Sequence, residues 1–310
     1  MGSKRSAVKR DKIHFQDGIH RYCFVCVFAI VTVLLNGLYA YAKWPKVTPS
    51  TDGVHISYEV YGSGEPTLVF VHGWSCDSRY WRMQVPYFME KYRVVVLDLA
   101  GHGHSGSGRT DYSMRAFGED VRAVVNAVAG EEIILIGHSM GGAVIAQAAR
   151  LMPERVVGLI GVDTFHNVEY PMTREELEKM TAPLKEDFKT GSRAFVGQML
   201  LPENADELRE FIVSDMASAP SKVALSAMEE MMGLYITGEA AEIFTAIKAP
   251  VVAVNADLWP TDPEANREHM ASFEAIVLKG TDHFLMMNTS DEFNFAIEQA
   301  VKRLLQVDVQ

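Results

Sequence analysis

The sequence predicts an α/β fold in which helices cover both faces of a mostly parallel sheet. Short apolar runs alternate with stretches of helical periodicity from residue 54 to residue 162, as in buried parallel sheets. One of these runs passes directly into Gly137-His138-Ser139-Met140-Gly141 and then into an alanine-rich helix. The alternation stops at Thr164 and resumes only at Pro250, which indicates an insertion in the sheet.

Composition is that of an ordinary globular protein. The 310 residues are 48% hydrophobic and 22% charged, enough for one large α/β domain with an insertion or for two small domains. The net charge is −11, and the acidic residues lie mainly after residue 42, which argues against a nucleic-acid partner. Cys23 and Cys26 lie in an apolar run and Cys76 is the third cysteine, so the body has no disulfide framework.

Residues 1–42 are predicted to be a basic N-terminus followed by a membrane segment. Residues 22–42 hold no charge, and their length is sufficient for a helix to cross a bilayer. The basic residues before this run would place the body outside the cytoplasm. Because Ala40-Tyr41-Ala42 fits a small-x-small cleavage site, a removed signal peptide is the alternative. We therefore expect a membrane anchor through residues 22–42 with an extracytoplasmic body, or a secreted protein if the chain is cleaved after Ala42.

The elements of the body follow in order. Residues 43–52, with two prolines, are interpreted as a linker, and residues 54–60 alternate like an antiparallel edge strand. Buried strands are predicted at 67–71, 92–99, 133–137, 155–162, 250–254 and 275–278, and helices at 78–89, 113–129, 143–149 and 291–305. The core is thus predicted to consist of residues 43–163 and 249–310.

Residues 164–248 contain no clear strand, and we predict that they form a helical cap inserted between the sixth and seventh strands. The segment is charged, rich in methionine and helical in periodicity. Methionines can simply fill a core, and they also suit the wall of a pliable apolar pocket. Both interpretations remain open for Met228, Met231 and Met232.

The pentad around Ser139 predicts a nucleophile. A strand, a sharp turn and a helix would lift the serine hydroxyl above the sheet and aim the helix N-terminus at the group it attacks. Side chains at positions 137 and 141 would collide as the chain reverses, so glycine is needed at both. A turn serine without chemistry is the alternative, but the flanking strand and helix make the pattern specific.

A serine hydroxyl needs a general base within hydrogen-bond reach, and His283 is the histidine that fits best. It follows the last strand in Gly280-Thr281-Asp282-His283-Phe284, at the same edge of the sheet as Ser139. Eight of the other histidines precede the membrane run, lie in glycine-rich turns, or fall in or beside helical stretches: His14, His20, His72, His102, His104, His138, His166 and His269.

Two backbone N–H groups would stabilise the negative charge that develops on the attacked carbonyl. One is predicted to be the N–H of Met140, directly after the nucleophile. The other is predicted to be the N–H of Trp74, in the loop after the strand that ends at Val71.

At this point the chain resembles the α/β-hydrolase fold family. The resemblance is carried by four motifs in that family's order: His72-Gly73-Trp74, Asp98-Leu99-Ala100-Gly101-His102-Gly103-His104-Ser105, Gly137-His138-Ser139-Met140-Gly141-Gly142 and Gly280-Thr281-Asp282-His283-Phe284. It covers about residues 53–305. It implies an eight-stranded sheet, a cap over the site, no cofactor, and hydrolysis through an acyl-enzyme. We predict no metal site. Serine at 139 disfavours dehalogenase and epoxide hydrolase chemistry, since those members have aspartate there.

The acid that orients His283 departs from the common family pattern. Many members place an aspartate just before a proline after strand seven, whereas Trp259 precedes Pro260 here. Another subset takes the acid from the end of strand six, where this chain has Asp163. Asp163 is preferred, and Asp257 is kept as the alternative. Asp98 and Asp282 are expected to satisfy N–H groups of glycine-rich turns.

The resemblance implies a serine hydrolase that cleaves a small carboxylic ester with an apolar acyl part, or a lactone or amide. The alternatives are a ligand receptor or binding protein on the same scaffold, and a cofactor-free peroxidase or C–C bond hydrolase. Because one fold can host many functions, the sequence alone does not separate them.

Overall fold

The computed structural model describes residues 45–128, 130–202 and 205–306, and eight strands within them form a single sheet. The strands are β1 (Lys46–Pro49), β2 (His55–Tyr61), β3 (Thr67–Val71), β4 (Arg93–Leu97), β5 (Ile133–His138), β6 (Val156–Val162), β7 (Val251–Ala256) and β8 (Phe273–Leu278). Their order in the sheet is β1-β2-β4-β3-β5-β6-β7-β8. β1 and β2 are antiparallel to their neighbours, and every other pair is parallel. The predicted fold class is confirmed.

Helices connect the strands. They are α1 (Val85–Phe88), α2 (Met114–Ala127), α3 (Met140–Leu151), α4 (Arg174–Glu186), α5 (Phe188–Gly197), α6 (Asp206–Met216), α7 (Ser221–Thr237), α8 (Glu239–Thr245), α9 (Pro263–His269), α10 (Leu285–Asn288) and α11 (Ser290–Gln306). The central strands β3 and β5 are buried along their whole length because helices cover both faces of the sheet.

Two local expectations were wrong. Residues 46–49 form β1 rather than a linker, so β2 is the second strand of the sheet and not its edge. Proline is tolerated at Pro49 because an edge strand can lack one N–H donor on its solvent side. The helix expected at 78–89 is instead a 3₁₀ turn, Ser78–Trp81, followed by the short α1.

The topology brings several chain segments to one edge of the sheet. β3, β5, β6, β7 and β8 run parallel, so the loops that follow them all lie at their carboxyl ends. In the described part of the chain, helices α4 to α8 come between β6 and β7, inside the segment predicted as a cap. The boundaries of that cap stay a prediction.

Candidate active site

Ser139 lies between the end of β5 and the first residue of α3, in a strained backbone conformation. Its φ is 52° and its ψ is −117°, a region that residues with side chains rarely occupy. The Ser139 N–H donates to the Val162 carbonyl at 2.9 Å, which fixes the turn against β6. A Cβ at Gly141 would lie 2.6 Å from the Val71 carbonyl oxygen, and one at Gly137 would collide with the Gly141 carbonyl. The turn therefore needs both glycines, for the steric reason inferred from the sequence.

His283 and Asp163 form a close pair at the same sheet edge. Nδ1 of His283 lies 2.6 Å from Oδ2 of Asp163, and both residues are buried. The other carboxylate oxygen, Oδ1, accepts the Ala256 N–H at 2.9 Å. The backbone N–H of His283 donates to the Met199 carbonyl at 3.3 Å, so the segment after α5 helps to hold the loop that carries this histidine.

Asp163 is held in its charged form. Burial raises the pKa of this carboxyl group, but the neighbouring imidazoles of His166 and His283 outweigh burial and bring the pKa below its ordinary value. A charged acceptor strengthens the hydrogen bond from the Nδ1–H of His283.

Asp257, the alternative acid, is placed elsewhere. It is exposed, and its Oδ1 accepts the Gly280 N–H at 2.9 Å. Asp98 and Asp282 satisfy N–H groups of loops, as expected: Asp98 accepts from Ser78 and His104, and Asp282 from Leu201 and Phe284. Of the two candidate acids, the structure brings Asp163 to His283.

His138, the residue before Ser139, supports the histidine loop. Its Nε2 donates to the His283 carbonyl at 2.8 Å, and the two rings lie 4.6 Å apart. Burial, followed by the nearby His283, lowers the pKa of His138 to about 3, so this ring is neutral at ordinary pH. A Cβ at Gly73 would lie 2.7 Å from Nδ1 of His138, and the two loops are therefore packed without spare room.

The two predicted oxyanion donors border the site, one at the start of α3 and the other in the loop after β3. The Met140 N–H is the first of α3 and has no acceptor within the helix, as is general for the first helical turn. Trp74 follows β3, and its indole N–H donates to the Ala224 carbonyl in α7 at 2.7 Å. Its ring packs edge-on against Phe195 of α5. The loop after β3 is thus bonded to the helices between β6 and β7. The role of the backbone N–H groups of Met140 and Trp74 stays a prediction.

A cavity of about 30 Å³ opens beside Ser139. Such a volume holds little more than one or two water molecules. Its walls come from α3, from the loop after β6, and from α7 and α8: Ala143, Ala146, Thr164, Phe165, Val168, Met231, Leu234, Tyr235, Ala240, Ile243 and Phe244. Met231 lines this cavity, whereas Met228 is buried in the core. The lining is mostly apolar and suits a short hydrocarbon group.

His166 was missed by the sequence analysis, which placed it beside a helical stretch. Its Nε2 lies 3.5 Å from Oδ1 of Asp163, so a second imidazole borders the acid. The signal that could have identified it is its position three residues after Asp163, in the same loop at the end of β6.

One group of side chains in the described residues has the spacing of a metal site. Ligand atoms of Glu169, Glu268 and His269 lie within 4.8 Å of one another. The two carboxylates are exposed, and His269 already pairs with Glu169 at 2.7 Å. We interpret the group as a surface ion pair with an acidic neighbour, and the expected absence of a metal or cofactor stays a prediction.

Comparisons with known proteins agree with the fold. Residues 66–203 match the family described as the alpha/beta hydrolase fold. The chain is 30% identical over 258 residues to an Aeromonas hydrophila protein named pimeloyl-[acyl-carrier protein] methyl ester esterase, covering 79% of this chain and 99% of that one.

Two solved structures show the same architecture. A thermophilic esterase from Thermogutta terrifontis is 23% identical, with a TM-score of 0.72, over 84% of this chain and 99% of its own. A bromoperoxidase from Bacillus anthracis is 20% identical, with a TM-score of 0.73, over 84% of this chain and 100% of its own. At these identities the likeness shows the fold alone.

The predicted localisation, a membrane-anchored or secreted body, is wrong. Residues 22–42, on which it depends, lie outside the described residues. In the part of the chain that the structure describes, no helix is both long and apolar enough to cross a membrane. The Aeromonas relative, aligned over nearly its whole length, is named for an ester carried on an acyl-carrier protein and gives the prediction no support. The membrane is therefore withdrawn as a partner.

Proposed function

Because this chain belongs to the α/β-hydrolase fold family, we propose that it cleaves a carboxylic ester through an acyl-enzyme formed on Ser139. The observation that carries the proposal is the 2.6 Å hydrogen bond between His283 and Asp163, at the sheet edge where Ser139 occupies a strained turn. A charged carboxylate, an imidazole and a serine on three separate strand ends are the parts of a nucleophilic triad.

Asp163 determines which nitrogen of His283 acts as the base. The carboxylate accepts the Nδ1 proton, which leaves Nε2 unprotonated and able to take the proton of the Ser139 hydroxyl. As the serine oxygen attacks the ester carbonyl, the imidazole becomes positively charged. The buried negative charge of Asp163 stabilises that state and keeps the ring oriented.

Negative charge develops on the carbonyl oxygen at the same time. The N–H groups of Met140 and Trp74 are proposed to donate to it, and the N-terminus of α3 adds a favourable dipole. His283 then returns its proton to the departing alcohol, and the acyl group remains on Ser139. Water, activated by the same imidazole, hydrolyses this ester and regenerates the serine.

The substrate class is inferred from the cavity and from the Aeromonas relative. That relative is named for a methyl ester, and we carry over to this chain only the carboxylic ester. The small apolar cavity between α3, α7 and α8 is proposed to receive a short hydrocarbon part of the substrate. A lactone or an amide is the alternative acyl compound.

The other functions weighed from the sequence find less support. A receptor or binding protein is disfavoured because the near full-length relative is named an enzyme. The likeness to a bromoperoxidase shows only the fold, so it does not favour peroxidase chemistry.

The proposal is tested by steady-state hydrolysis of short p-nitrophenyl esters. Wild type should turn over the acetate and butyrate, whereas Ser139→Ala should lose several orders of magnitude in kcat while remaining folded. Ser192→Ala, a buried serine in α5, serves as the matched control and should retain the rate. Equal rates for wild type and Ser139→Ala would overturn the proposal.

A further inference from the structure

Asp163 lies between two imidazoles. Its Oδ2 is 2.6 Å from Nδ1 of His283, and its Oδ1 is 3.5 Å from Nε2 of His166. The indole ring of Trp259 lies edge-on to both histidine rings, with centroids 5.5 Å from His283 and 5.9 Å from His166. The proposed triad accounts for His283 and leaves His166 without a role.

The surroundings of His166 determine which of its nitrogens carries the proton. The Thr164 N–H donates to Oδ1 of Asn255 at 3.2 Å, and this fixes the orientation of the amide. The amide nitrogen of Asn255 therefore faces Oγ1 of Thr261 at 2.9 Å and Nδ1 of His166 at 3.4 Å. Because an amide NH₂ can only donate, Nδ1 of His166 is the acceptor. In the neutral ring the proton then lies on Nε2, which faces Asp163.

The backbone also holds His166 beside Asp163. Asp163 and Phe165 both have positive φ, 44° and 57°, so the chain turns back on itself directly after β6. The His166 carbonyl accepts the Asp262 N–H at 2.6 Å, which ties the loop after β6 to the loop after β7. The carboxylate of Asp262 is itself occupied by the N–H groups of Glu264 and Ala265. Among the described residues, the charged partner of the His166 ring is Asp163.

We propose that His166 is a positioning residue for the reaction, acting on His283 through Asp163. Its Nε2 lies 3.5 Å from Oδ1, which accepts the Ala256 N–H, and the two groups together keep Oδ2 aligned with the Nδ1–H of His283. His166 also interacts with the negative charge of the Asp163 carboxylate. It therefore limits how strongly that carboxylate stabilises the positively charged His283 ring in the free enzyme. The inference rests on the proposed ester hydrolysis for its kinetic test, but its structural test does not require turnover.

The structural test is ¹⁵N-histidine NMR of the full chain, which reports the protonated nitrogen of each ring. The His166 signal, assigned by its loss in His166→Gln, should show the Nε2–H form at pH 8. In His166→Phe, the low-field proton signal of the His283 Nδ1–H should move while the bond itself persists. An Nδ1–H form of His166, or an unmoved His283 signal, would overturn the proposal whether or not any ester is hydrolysed.

The kinetic test compares substitutions that differ in hydrogen bonding. His166→Phe should lower kcat by about tenfold, the scale of one polar contact to a buried carboxylate, with KM nearly unchanged. It should also shift the acid limb of the kcat/KM profile to higher pH, because Asp163 then favours the His283 imidazolium more strongly. His166→Gln keeps a donor and should recover most of kcat.

Two controls separate positioning from a general loss of structure. His269→Phe removes a nearby histidine that pairs with Glu169, and its profile should coincide with that of wild type. In an Asp163→Asn background, His166→Phe should cause little additional loss, since its effect is transmitted by the carboxylate. A full tenfold loss in that background, or an acid limb that does not move, would contradict the proposal. Absence of Ser139-dependent turnover in wild type would instead count against the proposed function.

Discussion

The carboxylate of Asp163 lies 2.6 Å from Nδ1 of His283, although 120 residues separate them in the chain. Asp163 directly follows β6, and its Oδ1 is fixed by the Ala256 N–H at the end of β7. Asp163, the preferred candidate for the acid, is thus held on rigid elements from two strands, whereas Asp257 accepts the Gly280 N–H.

We expect Asp163→Asn to lower kcat by about 10³–10⁴, as loss of a triad acid does in serine hydrolases. The amide cannot hold the His283 tautomer or stabilise its positive charge. Asp257→Asn is the matched control, with an expected loss below about tenfold. The kcat of both variants is measured on the same ester. A larger loss in Asp257→Asn than in Asp163→Asn would assign the acid to Asp257.

The cavity predicts which methionine of residues 164–248 affects the preference for ester chain length. Met231 lines the cavity beside Ser139, so Met231→Ala should enlarge it and raise the kcat/KM ratio of octanoate to acetate esters by about tenfold. Met232 packs against the core and does not belong to the lining of this cavity, so Met232→Ala should leave the ratio near that of wild type. Similar ratios for both variants would show that the cavity does not hold the acyl chain.

The contact between Gly73 and His138 predicts an effect on the oxyanion donors. Gly73→Ala would bring a Cβ to 2.7 Å from Nδ1 of a buried ring, so the loop that carries the Trp74 N–H must move. We expect kcat to fall at least about tenfold with a smaller change in KM, because misplaced donors weaken binding of the transition state most. At Gly108, a Cβ would meet only ordinary contacts, so Gly108→Ala is the control. Unchanged kcat in a folded Gly73→Ala protein would argue against Trp74 as a donor.

Buried neutral histidines predict how stability depends on pH. Burial, followed by the nearby His72, lowers the pKa of His102 from near 6.5 to about 3. The unfolded chain therefore binds a proton first as pH falls, so this contribution to stability is complete above about pH 6.5 and is lost toward pH 3.

Urea unfolding at pH 7.5 and pH 5.0 measures that dependence. The difference in unfolding free energy between the two pH values should shrink in His102→Leu. It should not change in Phe117→Leu, which alters a buried ring beside His102 but removes no titratable group. An undiminished difference in His102→Leu would show that His102 does not remain neutral in the folded protein.

The fold and the sharp turn that carries Ser139 could be predicted because their signals are local, while the role of Ser139 as nucleophile stays a prediction. A strand, two obligatory glycines and a helix specify the turn at Ser139 within ten residues, and His283 follows the last strand. The acid could not be chosen with certainty, since Asp163 and Asp257 both follow strands at the same edge. Which of them lies beside His283 depends on the path of each loop: Asp163 has a positive φ, and Asp257 instead accepts the Gly280 N–H.

His166 was missed for a related reason. Its approach to Asp163 depends on the left-handed backbone of Phe165, and no sequence pattern requires that conformation of a phenylalanine. The strand at residues 46–49 was missed because Pro45 and Pro49 resemble the prolines of a linker, while the pairing of this strand with β2 is a tertiary contact.

The central claim is that Ser139 becomes covalently acylated, and labelling with a fluorophosphonate tests it most directly. The intact mass of the protein after reaction should increase by one phosphonyl group, and peptide mapping should place that group on Ser139. His283→Ala should react far more slowly, because the serine then lacks its base. A label on another residue, or equal labelling of Ser139→Ala, would contradict the account.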